Sequence, residues 1–411
     1  MNVEVINTGT EILLGSVLNT HVATLAHGLF PLGLRIERQI TVPDGDAIRE
    51  ALAVALARAD LVIVTGGLGP TTDDITREIT AELLGRPLRF DAEVMDTITA
   101  RFAARDLTLT DRVSRQAQVP EGATLLPNEH GTAPGLYLQC EQGNRTVHLF
   151  LLPGPPRELK PMFEKFVLPT LQRLVPATPV NECRVYHVLG IGESTVEDLV
   201  GKQLLAIPGL ELGYCARPGE VDVRCIGGKT ALEAAQKIIV EALGDSIVTR
   251  DELLLDQAVV EALARRNETL ATAESCTGGG IANRVTNVSG ASAVFLAGYV
   301  TYSNEAKTRD LAVPAELIAR HGAVSPEVAT AMAEGALCRT GSDWALATTG
   351  IAGPTGGTPD KPVGTVCIAL AHRGAPTQVQ TQRFFRDRDV FKDLVARTAL
   401  AWLLKTTDQP R

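Results

Sequence analysis

In the stretch ATAESCTGGG, Ala271 to Gly280, three consecutive residues carry a potential nucleophile, Ser275, Cys276 and Thr277, and three glycines follow. Attack on a carbonyl needs a base to activate the nucleophile, donors for the oxyanion and an acid for the leaving group. Beyond residue 250 the imidazoles are His321 and His372, far from each other in sequence and from any cluster of carboxylates. That argues against a Ser/His/Asp set and against a metal-bound water in this part of the chain. A lysine is the remaining base. Lys307, in VTYSNEAK, closely follows an expected strand, and partial burial would ease the loss of its proton. Tyr302 in the same stretch could relay a proton. Side chains alternate at a strand end, so if Ser275 and Thr277 face a pocket, Cys276 faces the core as a small hydrophobe. Ser275, Thr277, Gly278 and Gly279 would then form an anion nest at a helix N-terminus. The plain alternative is a tight turn between strand and helix.

A second constellation lies near the start of the chain. TGGLGPTTDDIT, Thr65 to Thr76, leaves an apolar strand and enters a helix. Gly66, Gly67 and Gly69 let backbone N–H groups approach an anion, and Thr71 in the same loop joins them as a substrate contact. Asp73 and Asp74 are expected in the first helical turn, either capping it or holding a divalent cation over bound phosphates. Glu11, in NTGTEILLG, and Glu158, in the proline-fixed turn LPGPPREL, follow other expected strands. Ligands of open α/β sheets collect at such carboxyl ends, which makes all four acids metal-ligand candidates.

The elements that must position these residues alternate strand and helix. VEVINTG, LRIERQITVP, DLVIVTGG and HLFLLPG read as strands, and continuous apolar runs of this kind suit a parallel sheet buried on both faces. A helix is expected over SVLNTHVATLAHGLFPLG, with Val17, Ala23, Leu25 and Leu29 among its apolar positions. Another is expected over AIREALAVALARA, with Asp44 and Asp46 as cap candidates. The result is an α/β, doubly wound domain over residues 1–175. VPATPV, Val175 to Val180, reads as a linker. A small βαββα module follows over residues 181–250, then a separate α/β domain over 251–411. Its strands are TLATAES, FLAGYVTYS, DWALATTG, GTVCIALAH and QVQTQRFF.

Composition narrows the class. The 411 residues carry a net charge of −9 with no block of Lys or Arg, which argues against a broad nucleic-acid footprint. Seven scattered cysteines show no metal-binding spacing and suggest reduced thiols in a cytosol. The opening MNVEVINTG is a strand pattern, so no signal peptide is expected, and no apolar run reaches the ~18 residues of a membrane span.

Several motifs together carry a family resemblance. TEILLG, GGLGPTTDD, GTAPG and LPGPPREL resemble the molybdopterin-binding-like domain of the CinA (competence/damage-inducible protein A) family. AESCTGG, YSNEAK, HGAVS, GIAGPTGG, KPVGTV and DRD resemble that family's C-terminal nicotinamide mononucleotide deamidase domain. The order matches too, and the resemblance covers nearly the whole chain. It implies two activities in pyridine-nucleotide salvage. The C-terminal domain would convert nicotinamide mononucleotide to nicotinate mononucleotide and ammonia without a cofactor. The N-terminal domain would cleave ADP-ribose to AMP and ribose 5-phosphate with a divalent metal ion (Mg, Mn or Co). A cytoplasmic homodimer is implied as well. The resemblance also places a Ser–Tyr–Lys set at Ser292, Tyr302 and Lys307. Relatives often carry two consecutive serines there, and here Ala291 takes the first position. On this basis Ser292 is favoured as the nucleophile over Ser275, which becomes part of the binding cradle. The loop TGIAGPTGG, with Gly350 and Gly353, would close over the ribose or nicotinamide ring. Arg388 would clamp a phosphate through its guanidinium fork. Two other classes compete: a non-catalytic recruitment protein in competence or DNA damage, and a molybdopterin-handling protein.

Overall fold

The structure, a computed structural model, describes residues 1–106, 108–175 and 181–407, so the expected linker after Val175 lies outside the described residues. The chain divides into two compact units, Met1–Val180 and Asn181–Arg411.

The first unit is built on a sheet of six strands in the order Ile36–Val42, Val3–Thr8, Leu61–Thr65, Arg145–Leu152, Gly135–Gln142, Thr124–Leu126. The first four are parallel and the last two antiparallel. Leu61–Thr65 is buried at every position, and its side chains alternate between two cores: Val62 and Val64 enter one, Leu61 and Ile63 the other. Helices on both faces complete the doubly wound layering. The strand Gly135–Gln142 was hidden in the sequence by its alternating polar residues, and it pairs with Arg145–Leu152 through a two-residue turn. Two expectations change. The helix expected from Ser16 begins at His21, whose N–H is accepted by Asn19 Oδ1, and Val17 is exposed. Asp44 and Asp46 make no cap bond to the helix Ala47–Arg58; Asp44 Oδ2 instead accepts Thr10 N–H at 3.0 Å.

The second unit contains two sheets. Residues 181–250 form an antiparallel sheet in the order Glu211–Arg217, Glu220–Gly227, Glu182–Leu189, Ile247–Arg250. The last strand extends the expected βαββα pattern by one element too short to stand out in the sequence. The second sheet has the order Phe295–Val300, Leu270–Glu274, Trp344–Gly350, Thr365–His372, Gln378–Arg383. Its first three strands are parallel and the last two antiparallel. One face is alanine-rich: Ala271, Ala273, Ala345, Ala347, Ala369 and Ala371 let the helix Pro326–Thr340 sit close. The other face carries Leu270, Leu346, Val366, Ile368 and Leu370 under the helix Arg388–Thr407. Enlarging an alanine such as Ala347 would overpack the thin face, destabilising by about 1–3 kcal/mol. Among the described residues no helix is long and apolar enough to cross a membrane.

Candidate functional site

In the second unit the parallel strands end together. Leu270–Glu274 runs into Ser275, and its neighbour Phe295–Val300 runs into Thr301 and Tyr302. Ser303 caps the next helix, Asn304–Leu311, by accepting Ala306 N–H at 3.1 Å, which sets Lys307 in the second turn. The Lys307 side chain turns inward and is 1% exposed. Its Nζ lies 3.1 Å from Ser275 Oγ, 2.8 Å from Thr301 O and 3.4 Å from Tyr302 O. Burial pushes the Lys307 ammonium below the ordinary lysine range, and the Cys276 and Glu305 charges oppose this weakly. The chemistry follows from donor counting. As an ammonium, Lys307 donates to Ser275 Oγ and to the two carbonyls; once it has lost a proton it keeps two N–H donors for the carbonyls and turns a lone pair to the Ser275 hydroxyl.

The turn after Ser275 is fixed from below. Glu274, wholly buried, accepts Ile281 N–H at 3.0 Å and Ala282 N–H at 2.8 Å, with Thr272 Oγ1 at 3.3 Å. It locks the first turn of the following helix, a role the sequence reading did not assign. Among the described residues the N–H groups of Thr277 and Gly279 have no partner. Thr277 to Gly280 line a polar cavity of about 650 Å³ with Asn283 and Lys392. Lys392 was also missed; it stands one helical turn after Arg388 on the same face. Arg388 donates to Tyr302 OH at 2.7 Å and to Gly353 O at 2.9 Å, tying that loop to the strand end.

Several expectations are corrected. Ser292 is exposed in a short turn before Phe295, at the amino end of the six-residue strand whose carboxyl end leads to Tyr302 and Lys307. Roughly 20 Å of strand separates the two ends, and the register pairs Phe295 with Leu270 but Val300 with Glu274. The geometry therefore joins Lys307 to Ser275. Tyr302 sends its hydroxyl to Arg388, and Lys307 meets only its carbonyl, so no proton relay through the phenol is formed. Ser275, Cys276 and Thr277 lie beyond the strand in a turn, where alternation no longer governs, and all three are buried. The Cys276 thiol is pushed up to about 12 by burial, as befits an inert core group. Thr277 Oγ1 pairs with Thr348 Oγ1 at 2.8 Å, so this residue offers its backbone and not its hydroxyl. Gly350 allows close strand packing, since a Cβ there would lie 2.9 Å from Thr365 O.

In the first unit, Glu11, Gly66, Gly67, Gly69, Thr71, Asp73, Asp74 and Glu158 all line one cavity of about 460 Å³. Gly66 and Gly67 have φ of 99° and 67°, which only glycine adopts freely. Gly66 N–H is accepted by Leu152 O, while the N–H groups of Gly67, Leu68 and Gly69 have no partner among the described residues. The buried hydroxyls of Thr8 and Thr76 flank these glycines and also lack partners. Below them, His21 Nδ1 meets Thr65 Oγ1 at 3.1 Å, and burial lowers the imidazole pKa. Asp73 and Asp74 precede the helix, which starts at Thr76, and so do not stand in its first turn. Thr71 is engaged with its own loop: its N–H and Oγ1 both donate to Asp74 Oδ2, the former at 2.9 Å. Hydrogen bonding to Thr71 also holds the Asp73 carboxyl below its usual range. Glu158 is held by Asn128 Nδ2 at 2.8 Å, and Asn128 Oδ1 accepts the N–H groups of His130 and Gly131. The donor chemistry suits a hard cation, yet no three of the four acids bring their oxygens within 4.8 Å of one another. The only such group among the described residues is His187, Glu220 and Asp222 in the middle module. Arg217 and Arg397 already pair with its carboxylates, so it reads as an ion-pair cluster.

Family models match residues 4–173 ("Probable molybdopterin binding domain"), 183–248 ("Damage-inducible protein CinA KH domain") and 253–407 ("CinA C-terminal domain"). A CinA-like protein of Akkermansia muciniphila is 48% identical over 404 residues, covering 98% of this chain and 97% of its own. A CinA-like protein of Citrifermentans bemidjiense is 43% identical over 411 residues, covering 98% and 97%. The crystal structure of the competence/damage inducible protein CihA from Agrobacterium tumefaciens is 40% identical, covering 38% of this chain and 94% of that one, with a TM-score of 0.37. With relatives this similar across its whole length, the chain belongs to the CinA family, and its first domain is molybdopterin-binding-like.

Proposed function

We propose that the chain is a bifunctional hydrolase of pyridine nucleotides, with an amidohydrolase in its C-terminal domain acting on nicotinamide mononucleotide. The observation that carries this reading is the buried Lys307 amine 3.1 Å from Ser275 Oγ, with its other donors engaged by carbonyls. Lys307 takes the Ser275 proton as Oγ attacks the carboxamide carbon. The N–H groups of Thr277 and Gly279 are free to receive the oxyanion. Lys307 returns the proton to the nitrogen, ammonia leaves, and a water activated by the same amine releases the acid and restores Ser275. Lys392 and the glycine turn suit the substrate's phosphate.

The first domain supplies the second activity, hydrolysis of ADP-ribose to AMP and ribose 5-phosphate. The unpartnered amides of Gly67 to Gly69 and the side chains of Arg105 and Arg157 in the same cavity suit a pyrophosphate. A divalent cation held by Asp74 and Glu158 would neutralise charge developing on the phosphates. Purified full-length protein should release ammonia from nicotinamide mononucleotide in the presence of a chelator, and should form AMP from ADP-ribose only with added divalent metal. Absence of ammonia release would contradict the amidase reading, and metal-independent AMP formation would contradict the second.

A further inference from the structure

A third cavity, of about 680 Å³, lies within the second unit, between the middle module and the C-terminal domain. It is apart from the Ser275–Lys307 site, and its volume is in the range of small-molecule sites, roughly 300–1,000 Å³. Its lining differs in kind from the acidic protein around it. Arg383, Arg386 and Lys405 face it, and among the described residues none of the three has a carboxylate partner. Glu193 is the one acid on its wall, and Arg217, also there, is already paired with Asp222.

Aromatic surface stands beside this charge. Phe385 is 66% exposed, an unfavourable position for a large apolar side chain. The Arg383 guanidinium lies 3.9 Å from the Phe385 ring centroid, which leaves a flat composite surface. Trp402 forms another part of the wall. Polar groups suited to a base edge are present too. Gln382 Nε2 donates to Gln380 Oε1 at 3.1 Å, which leaves both N–H donors of Gln380, the second N–H of Gln382 and the Gln382 carbonyl oxygen for a ligand. On the middle-module side, Gly190 and Gly192 have open space where a Cβ would stand, so a ligand can approach the backbone.

Cations without carboxylate partners, an exposed aromatic face and an amide pair around one open cleft are the requirements of one ligand class. We propose that this cavity binds a free nucleoside phosphate, its base against Phe385 and Trp402 and its phosphate on Arg386 and Lys405. A long nucleic-acid strand is disfavoured by the net charge of −9.

Trp402 and Trp344 are the only tryptophans, and Trp344 is buried in the sheet core. Titration of the full-length protein with AMP should therefore change the tryptophan emission, and Trp402→Phe should remove that change. Removing both phosphate contacts with Arg386→Ala/Lys405→Ala should weaken AMP binding by about tenfold or more, since each charge-assisted hydrogen bond is worth about that factor. Both residues are exposed, and an unchanged circular dichroism spectrum and melting temperature will verify the fold. Ser275→Ala and Asp74→Asn should keep the emission response, which separates this cavity from the two proposed catalytic sites. No emission change at millimolar AMP, or equal affinity in the double variant, would overturn the proposal. So would a short single-stranded DNA that displaces AMP at lower concentration than AMP itself.

Discussion

Two glycine turns in this molecule leave the same kind of strand end and handle charge in opposite ways. The turn after Leu61–Thr65 opens onto a cavity lined by Glu11, Asp73, Asp74 and Glu158, whose carboxylates stand in or near solvent. The turn after Leu270–Glu274 has a buried lysine beside it, Lys307, and a buried carboxyl group beneath it, Glu274. An exposed set of acids keeps its charge cheaply and can attract a metal or a cationic substrate group. A buried lysine keeps its charge only at the expense of hydration, so it tends to lose its proton and becomes a base. On the function proposed above, the same kind of sheet would support two chemistries through the depth at which the ionisable groups sit.

The comparison breaks first at Lys307. Lys307→Met should lower ammonia release by about 10²–10⁴-fold, the usual contribution of a general base, and leave ADP-ribose cleavage unchanged. In the wild type, kcat/KM for the amide should rise with pH along a limb whose pKa lies below the ordinary lysine value of about 10.4. A limb at or above that value would remove the argument from burial.

The converse experiment acts on the other turn. Asp74→Asn combined with Glu158→Gln should abolish metal-dependent cleavage of ADP-ribose and spare the amidase. Asn128→Ala, which frees Glu158 without altering any acid, should raise the metal concentration needed for half-maximal AMP formation by about 10–100-fold. Wild-type metal dependence in these variants, measured by AMP formation against metal concentration, would show that the acids only solvate the cavity rim.

The sequence revealed more of one site than of the other, for physical reasons. Every residue expected at the first turn does line one cavity, because glycines and acids that follow buried parallel strands are carried to a common edge. What it did not reveal was the use of each group. Thr71 and Asp74 satisfy each other, a local bond that spacing alone does not distinguish from two ligand contacts. At the second turn the error was larger. Ser292 precedes Tyr302 by only ten positions, but a whole strand intervenes, and strand direction sends the two to opposite ends of the sheet. Ser275 is farther from Lys307 in sequence and adjacent in space, because neighbouring parallel strands align their carboxyl ends. Glu274 escaped notice since a buried carboxylate beneath a turn looks, in sequence, like any strand-end acid.

A smaller effect is expected at Glu274. Glu274→Ala removes the acceptor of the Ile281 and Ala282 N–H groups, a loss of about 1–3 kcal/mol for each donor left unsatisfied, and should lower the melting temperature. Glu274→Gln keeps one acceptor oxygen and should recover part of that loss. If its role is to position the turn, the Gln variant should also raise KM for nicotinamide mononucleotide more than it lowers kcat, whereas a purely structural residue would change stability alone.

The smallest effect concerns stability against pH. Lys307 has a lowered pKa when folded, so between that value and about 10.4 the unfolded chain binds the extra proton. Stability from this group therefore rises with pH across that window and is diminished below it. Wild type should gain on Lys307→Met as the pH is raised through the window, as followed by denaturant unfolding. Parallel curves for the two proteins would mean that Lys307 titrates normally in the fold.

The central claim is that Ser275, and not Ser292, is the group that Lys307 activates. Ammonia release from nicotinamide mononucleotide, compared between Ser275→Ala and Ser292→Ala under single-turnover conditions, tests it most directly. Ser275→Ala should bind the nucleotide but release no ammonia, while Ser292→Ala should turn over at nearly the wild-type rate. Normal turnover by Ser275→Ala together with a silent Ser292→Ala would contradict it.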